Sequence, residues 1–259
     1  MINTESKDLA AGRLEKLRQI VRERRIVRIE ELVTGLGVSA PTVRRDLAHL
    51  ESHGDLRRVH GGAVAVESRL EEPLFDDKAA RAAAEKRRIA ETAAGLIRPK
   101  DSIFLDGGST VLALAALLKD RTDITVVTNS LRVAVELAGG GPALIVVGGE
   151  LRRLSQTFVG PLTRFTLDQI HVDRAFMGTI GLTVEAGLTT TDAREAYTKS
   201  LVMDHAGEVI LLADSSKLGK VSFARSGNLD KLARVITDKG APPKLVRQLK
   251  QKGVVITTV

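Results

Sequence analysis

Between Arg13 and Arg24 the apolar residues Leu14, Leu17, Ile20 and Val21 recur at spacings of three and four, which predicts an amphipathic helix with one buried face. Arg25 to Ile29 alternates charged and β-branched residues, as a very short strand or an extended link would. Glu30 to Leu36 reads as a second short helix closed by Gly37, because glycine readily takes the left-handed conformation in which helices end. Ser39 then stands as an N-cap, Pro41 fits a first turn, and Val43, Leu47 and Leu50 share one face of a third helix that stops near Gly54. Two helices joined by a tight glycine turn make a helix-turn-helix. Leu56 to Val66 reads as two strands around a Gly61-Gly62 turn, which would form a wing.

Past Val66 the pattern changes. Glu71-Glu72-Pro73 reads as a linker and Asp77 to Ile97 as an Ala- and charge-rich helical stretch. Short aliphatic runs then alternate with helical patterns. The runs predict strands at Ser102–Leu105, Thr125–Val127, Leu144–Val147, Ala175–Met177, Val209–Ala213 and Val235–Thr237, with Val254–Thr257 as a further candidate. Helices are expected at Thr110–Leu118, Leu131–Ala138, Pro161–Ile170, Ala193–His205 and Pro243–Lys250. Strands apolar on both faces and separated by helices imply βαβ units and a mainly parallel sheet. The expected fold class is α/β: a winged helix-turn-helix over residues 1–66, a linker and connecting helix over 67–100, and an α/β domain over 101–259.

Composition narrows the classes. The 259 residues are 43% hydrophobic and 27% charged, a globular balance that leaves ample chain for a core. The longest apolar run, Val111 to Leu118, is too short to cross a bilayer, and the start of the chain does not resemble a secretory signal, so a cytoplasmic protein is expected. With no cysteine there are no disulfides, thiolate metal sites or cysteine nucleophile, and the five histidines are scattered; no metal or cofactor is expected. The net charge of +7 fits a nucleic-acid partner and also an ordinary soluble protein, so local arrangement decides.

On the third helix, a position two residues beyond Val43 lies about 200° around the axis, so Arg45 points away from the core. Pro41, Thr42 and Arg45 therefore face outward at the helix start, where a recognition helix reads base edges and an Arg can bond guanine in bidentate fashion. Arg44, on the flank, suits a phosphate, and Asp46, near the core-facing stripe, suits orienting an Arg. Arg57, Arg58 and His60 on the wing would add phosphate or minor-groove contacts. A bare Arg pair would be only a solvated face; here it sits in a capped helix after a glycine turn and before a hairpin. The pattern Arg13-x3-Leu17-x3-Val21, with Ser39-x2-Thr42-Val43-Arg44-Arg45-Asp46-Leu47 after it, resembles the N-terminal signature of DeoR-type bacterial transcriptional regulators. The resemblance continues through Gly54-Asp55-Leu56 and His60-Gly61-Gly62-Ala63 and into the second domain.

In that domain Asp106-Gly107-Gly108-Ser109-Thr110 lies between a strand and a helix, which places free N–H groups at a helix N-terminus and favours an anion. Thr128-Asn129-Ser130 and Gly148-Gly149 are read as two further βα turns at the same sheet edge, where open α/β folds bind ligands. Glu195 and Lys199, at i and i+4, form at the simplest a surface ion pair, and Lys217 past a strand end either reaches a phosphate or is a solvated turn lysine. The stretch from Asp106 to Lys217 resembles the DeoR-type effector domain, which is similar in fold to ribose-phosphate isomerases and CoA transferases. That resemblance implies a phosphorylated sugar or polyol effector held by Asp106, Gly107, Gly108, Ser109, Thr110, Thr128, Asn129, Ser130, Gly148, Gly149, Glu195, Lys199 and Lys217. Lys78 stands where it leads one to expect Arg.

The expectation is a sugar-phosphate-responsive repressor that binds a double-stranded DNA operator as a homodimer or higher oligomer. The rival is a sugar-phosphate isomerase with Asp192, Glu195 or Asp106 as general base. An isomerase has no use for a DNA-reading helix. A sequence-blind architectural DNA binder would need no α/β domain.

Overall fold

Gly37 takes the left-handed conformation (φ 65°) and its N–H donates to the Val33 carbonyl at 3.0 Å, so helix α2 (Ile29–Leu36) stops there and α3 (Ala40–Ser52) follows at once. The structure is a computed structural model that describes residues 4–24, 26–52, 56–59, 61–65, 75, 78 and 81–259, with the backbone alone for 4–11, 22, 57 and 65. The chain divides into two units, Met1–Ser68 and Arg69–Val259. Among the described residues no helix is long and apolar enough to cross a membrane.

In the first unit α1 (Thr4–Arg24) packs with α2 and α3 around Leu17, Val21, Leu32, Val43, Leu47 and Leu50, all buried. Of the predicted periodic positions, Leu17, Val21, Val43, Leu47 and Leu50 are core positions, while Leu14 and Ile20 are partly buried against that core. Residues 26–28 form a true strand, β1 (Ile26–Arg28), which pairs with β3 (Gly62–Ala65), and β3 pairs with β2 (Leu56–Val59), all antiparallel. Val59 pairs with Gly62, so Gly61 alone of the two glycines lies in the turn (φ 81°) and Gly62 opens the strand. A Cβ on Gly62 would come within 2.2 Å of the Val27 carbonyl oxygen, which is why β1 and β3 need glycine there. Gly54, the expected end of α3, and the linker Glu71-Glu72-Pro73 lie outside the described residues.

The second unit starts from α4 (Ala83–Ala94) and is built on seven strands: β4 (Ser102–Leu105), β5 (Thr125–Thr128), β6 (Ala143–Val146), β9 (Val172–Met177), β12 (Ala206–Leu212), β14 (Arg234–Thr237) and β15 (Val255–Thr258). They run parallel throughout, in the order β15-β14-β12-β9-β4-β5-β6. Alternate residues feed two cores. Phe104 and Met177 pack with Val202 of α8 (Ala193–Asp204) and Leu249 of α9 (Pro243–Gln251), while Ile103, Leu105 and Phe176 pack with Leu114 of α5 (Ser109–Leu118) and Val133 of α6 (Leu131–Leu137). Burial on both faces explains why these strands read as continuous apolar runs. Helix α4, expected in the connecting segment 67–100, puts Ile89, Ala90 and Ala93 into this second core.

Several short pieces were not foreseen. β7 (Glu150–Arg152) and β8 (Thr157–Val159) form a hairpin, and β10 (Gly181–Thr183), β11 (Gly187–Thr190) and β13 (Ala224–Gly227) form an antiparallel sheet. The expected helix Pro161–Ile170 is a 3₁₀ turn, Pro161–Thr163, running into a single α turn, α7 (Arg164–Leu167). Gly148-Gly149 is not a βα turn: it leads from edge strand β6 into β7.

From β4 the chain steps outward through β5 and β6, then returns to lay β9 against the other side of β4. The β4–β9 seam is therefore the topological switch point, where the loops leaving both strands part and open a crevice.

Candidate nucleic-acid interface and ligand site

On α3 the side chains of Val43, Asp46, Leu47 and Leu50 are buried, whereas Pro41, Arg44 and Arg45 are exposed and Thr42 is half-buried. The Ser39 carbonyl accepts the Val43 N–H at 3.0 Å, as an N-cap carbonyl does, and the Ser39 and Thr42 hydroxyls share a hydrogen bond of 2.9 Å. Asp46 holds an Arg, as its angular position suggests: Arg13 of α1 donates Nε at 2.6 Å and Nη2 at 3.3 Å. That hydrogen bond raises the Arg13 pKa above its ordinary value. The charge therefore serves to fix α1 against α3 and faces away from the Arg44–Arg45 surface.

Arg58 on β2 donates its backbone N–H (2.8 Å) and its Nε (2.6 Å) to Glu51 near the end of α3. The backbone bond first, and the guanidinium second, hold the Glu51 carboxyl below the usual range. For Arg57 the structure describes the backbone in β2, and His60 lies outside the described residues.

At the β4–β9 seam Asp106, 1% exposed, follows β4. It accepts the Gly178 N–H at 2.9 Å from the loop after β9, and it pairs with the ammonium of Lys199, 3% exposed, which also donates to the Gly178 carbonyl at 3.2 Å. Lys199 sits 3.6 Å from Glu195, Glu195 3.3 Å from Arg152, and Arg152 3.4 Å from Asp192. Glu195 and Lys199 are thus not a surface ion pair; they are the buried middle of a chain of alternating charges that crosses from β4 to the start of α8. Asp192 begins that helix, accepting the N–H groups of Arg194 (2.8 Å) and Glu195 (3.1 Å). Arg152 was missed by sequence reasoning because its hairpin was.

The glycines beside Asp106 are fixed by close approach. A Cβ on Gly107 would lie 2.1 Å from Thr157 Cγ2, and one on Gly178 would lie 2.8 Å from the Gly107 carbonyl oxygen. Gly108, at φ 133°, is the residue before α5, and Ser109 and the buried Thr110 occupy its first turn. After β5 the Thr128 hydroxyl donates to the Leu105 carbonyl (2.6 Å), which ties the second loop to the first. Ser130 caps α6 by accepting the Val133 N–H (3.3 Å). Asn129 donates to the Phe158 carbonyl (3.0 Å), and its Oδ1 is buried without a hydrogen-bond partner among the described residues.

The remaining expected members sit on the stretches that follow β6 and β12. Gly148 and Gly149 follow β6, two strands out from β4, and Gly149 is a packing glycine whose Cβ would meet Thr163 Cγ2 at 2.9 Å. Lys217 ends a 3₁₀ turn after β12 and is half-buried, close enough to Lys86 on α4 to depress that lysine's pKa. Lys86 in turn reaches the segment around Lys78, which itself lies over the Phe75 ring at 5.9 Å.

Comparison with known proteins agrees with both halves. Residues 13–69 match the DeoR-like helix-turn-helix domain and residues 81–239 the DeoR C terminal sensor domain. The HTH-type transcriptional regulator YulB of Bacillus subtilis strain 168 is 35% identical over 97% of this chain and 97% of its own. A lactose phosphotransferase system repressor of Staphylococcus epidermidis (strain ATCC 35984) is 38% identical over 87% of this chain and 91% of its own. A solved ribose 5-phosphate isomerase A from Methanocaldococcus jannaschii aligns with 52% of this chain and 54% of its own at 21% identity, with a TM-score of 0.40. With a DNA-reading domain and a sensor domain in one chain, and with relatives matched nearly end to end, this protein belongs to the DeoR family of helix-turn-helix transcriptional regulators.

Proposed function

We propose that this regulator represses a carbohydrate-utilisation operon and that its α/β unit senses a phosphorylated sugar or polyol at the carboxyl edge of the β4–β9 seam. The observation that carries the reading is the conjunction at that seam. The N–H groups at the start of α5, which no side chain caps, favour a phosphate, beside a set of donors and acceptors suited to hydroxyls, the buried Asp106, Asn129, Glu195 and Lys199 and the half-buried Arg152. In this assignment Gly107, Gly108, Ser109 and Thr110 take the phosphate, Thr128 and Ser130 shape the neighbouring turn, and Lys217 lends positive charge. A sugar-binding role for Asp106 has to share that carboxylate with Lys199 and the Gly178 N–H. Gly148 and Gly149 act through the shape of the rim.

On the DNA side Arg45, with Ser39, Pro41 and Thr42 around it, reads base edges in the major groove, and Arg44, Arg57, Arg58 and His60 meet the backbone. One such helix reads only a few base pairs, so two or more copies of the chain engage a repeated operator. The test is a thermal-shift panel pairing phosphorylated sugars and polyols with their unphosphorylated parents. A ligand at 100 times its dissociation constant stabilises by about 2.7 kcal/mol, a shift large enough to read. Stabilisation by a phosphorylated compound and not by its parent is expected. Equal shifts for both, or none across the panel, would remove the phosphate from the reading.

A further inference from the structure

Lys86 is 5% exposed, yet its ammonium meets no carboxylate within 4 Å among the described residues. Instead it donates to the backbone carbonyls of Lys78 and Arg81, the latter at 2.6 Å, in the segment that enters α4. Burial pulls its pKa below the ordinary lysine value; Asp214 opposes this, while Lys217, Lys78 and Arg81 add to it. An excess of positive charge is therefore gathered here with carbonyl dipoles as the immediate partners.

The same Lys78 carbonyl oxygen accepts the hydroxyl of Ser109, at 3.4 Å, from the first turn of α5. A serine hydroxyl at a helix N-terminus and a buried ammonium thus converge on one acceptor, which has two lone pairs to offer and no net charge. A phosphate oxygen would make the same two bonds with full negative charge, and such charge-assisted bonds are roughly twice as strong as neutral ones. The segment is also held in a costly shape: Ala82, just before α4, sits at φ 52°, ψ 39°, a left-handed conformation that a Cβ disfavours, and no side chain caps the helix there.

We propose that Lys86 is a cation of the effector phosphate site whose partner in the free protein is the chain's own Lys78 carbonyl, and that an arriving phosphate takes Lys86 and Ser109 from that carbonyl. The proposal rests on the reading of the Gly108–Ser109 turn as the phosphate loop. The exchange takes both hydrogen bonds from the Lys78 carbonyl, which loosens the entry to α4 and lets Ala82 relax. Since the chain passes through this segment on its way from the first unit to α4, occupation of the loop acts directly on the covalent connection to the DNA-reading unit.

Hydrogen–deuterium exchange on the full chain tests this, with inorganic phosphate as the probe and sodium chloride at matched ionic strength as the control. Phosphate is expected to slow exchange in peptides covering 107–112 and to speed it several-fold in peptides covering 81–87. In Lys86→Gln the second region should exchange fast without phosphate and stop responding to it, with unchanged exchange in β12 as the check on folding. The wild-type comparison decides alone if that variant does not fold. Slowing in both regions, or slowing at 107–112 with no change at 81–87, leaves the phosphate loop in place and overturns the exchange of partners. No slowing at 107–112 overturns the loop itself, and the proposal with it.

Discussion

Glu51 and Arg58 join the end of α3 to the first strand of the wing by two hydrogen bonds, one from the Arg58 backbone and one from its guanidinium. The guanidinium is half exposed, so the pair adds little to stability, as exposed ion pairs generally do. Its consequence concerns DNA. A phosphate must compete with Glu51 for Arg58, and the carboxylate repels that phosphate as well. Glu51→Gln should therefore tighten binding to random DNA, while Arg58→Ala should weaken all sequences alike and flatten the salt slope by about one unit. Filter binding on random duplex across a salt series reads both. A Glu51→Gln protein that binds random DNA no better than the parent would separate the wing from the phosphate backbone.

Arg45 should behave differently, because it stands exposed in the first half of α3 with no such clamp among the described residues. Arg45→Ala is expected to cost about 1–3 kcal/mol on the true operator and to relax preference at one base pair, with little effect on random duplex. Competition between operator and single-base variants measures it. Equal losses on operator and random DNA would make Arg45 a backbone contact instead.

The Asp106–Lys199 pair predicts a stability effect of another size. Both groups are almost fully buried, so Lys199→Met would strand a carboxylate in the core. Breaking a buried pair from one side costs about 3–5 kcal/mol, whereas replacing both partners is often close to neutral. Urea unfolding should show Lys199→Met strongly destabilised and Asp106→Asn/Lys199→Met substantially recovered. A double variant no more stable than the single one would mean that the Gly178 bonds, and not the charge, hold the seam.

The parts legible in the sequence were those with a repeating physical cause. Ile103, Phe104 and Leu105 are apolar in succession because each face of β4 meets a different core, and the same holds for β9 and β12. Leu17, Val21, Val43 and Leu47 declare their helices by spacing. What stayed hidden lacks such a cause. Glu150-Leu151-Arg152 is too short and too polar to show a strand period, so the hairpin that carries Arg152 to Glu195 left no pattern. Lys86 stands in the run Glu85-Lys86-Arg87-Arg88, where nothing local separates the one buried cation from its exposed neighbours. Glu195 and Lys199 have the spacing of a helix-surface pair; only the fold over them shows that the face is covered.

Asp192 carries the pH prediction. Burial alone would raise its carboxyl, but the Arg194 guanidinium and the N–H groups of Glu195 and Arg194 outweigh that and hold it at about 2, below the ordinary 3.8. A carboxylate depressed on folding adds stability at pH values above its ordinary value, and that contribution is lost as the pH falls through the folded value. The difference corresponds to about 2 kcal/mol. Asn is a good N-cap, so Asp192→Asn keeps a capping oxygen at the start of α8 and removes the charge that meets Arg194 and Arg152. The variant should therefore be less stable than the parent by up to about 2 kcal/mol at neutral pH, with the gap narrowing as the pH drops from 4 towards 2. Urea unfolding of both proteins at pH 7, 4 and 3 measures the gap directly. A gap that stays constant over this range would show that the side chain acts through its shape alone, and the charged chain from Asp106 to Asp192 would then end at Arg152.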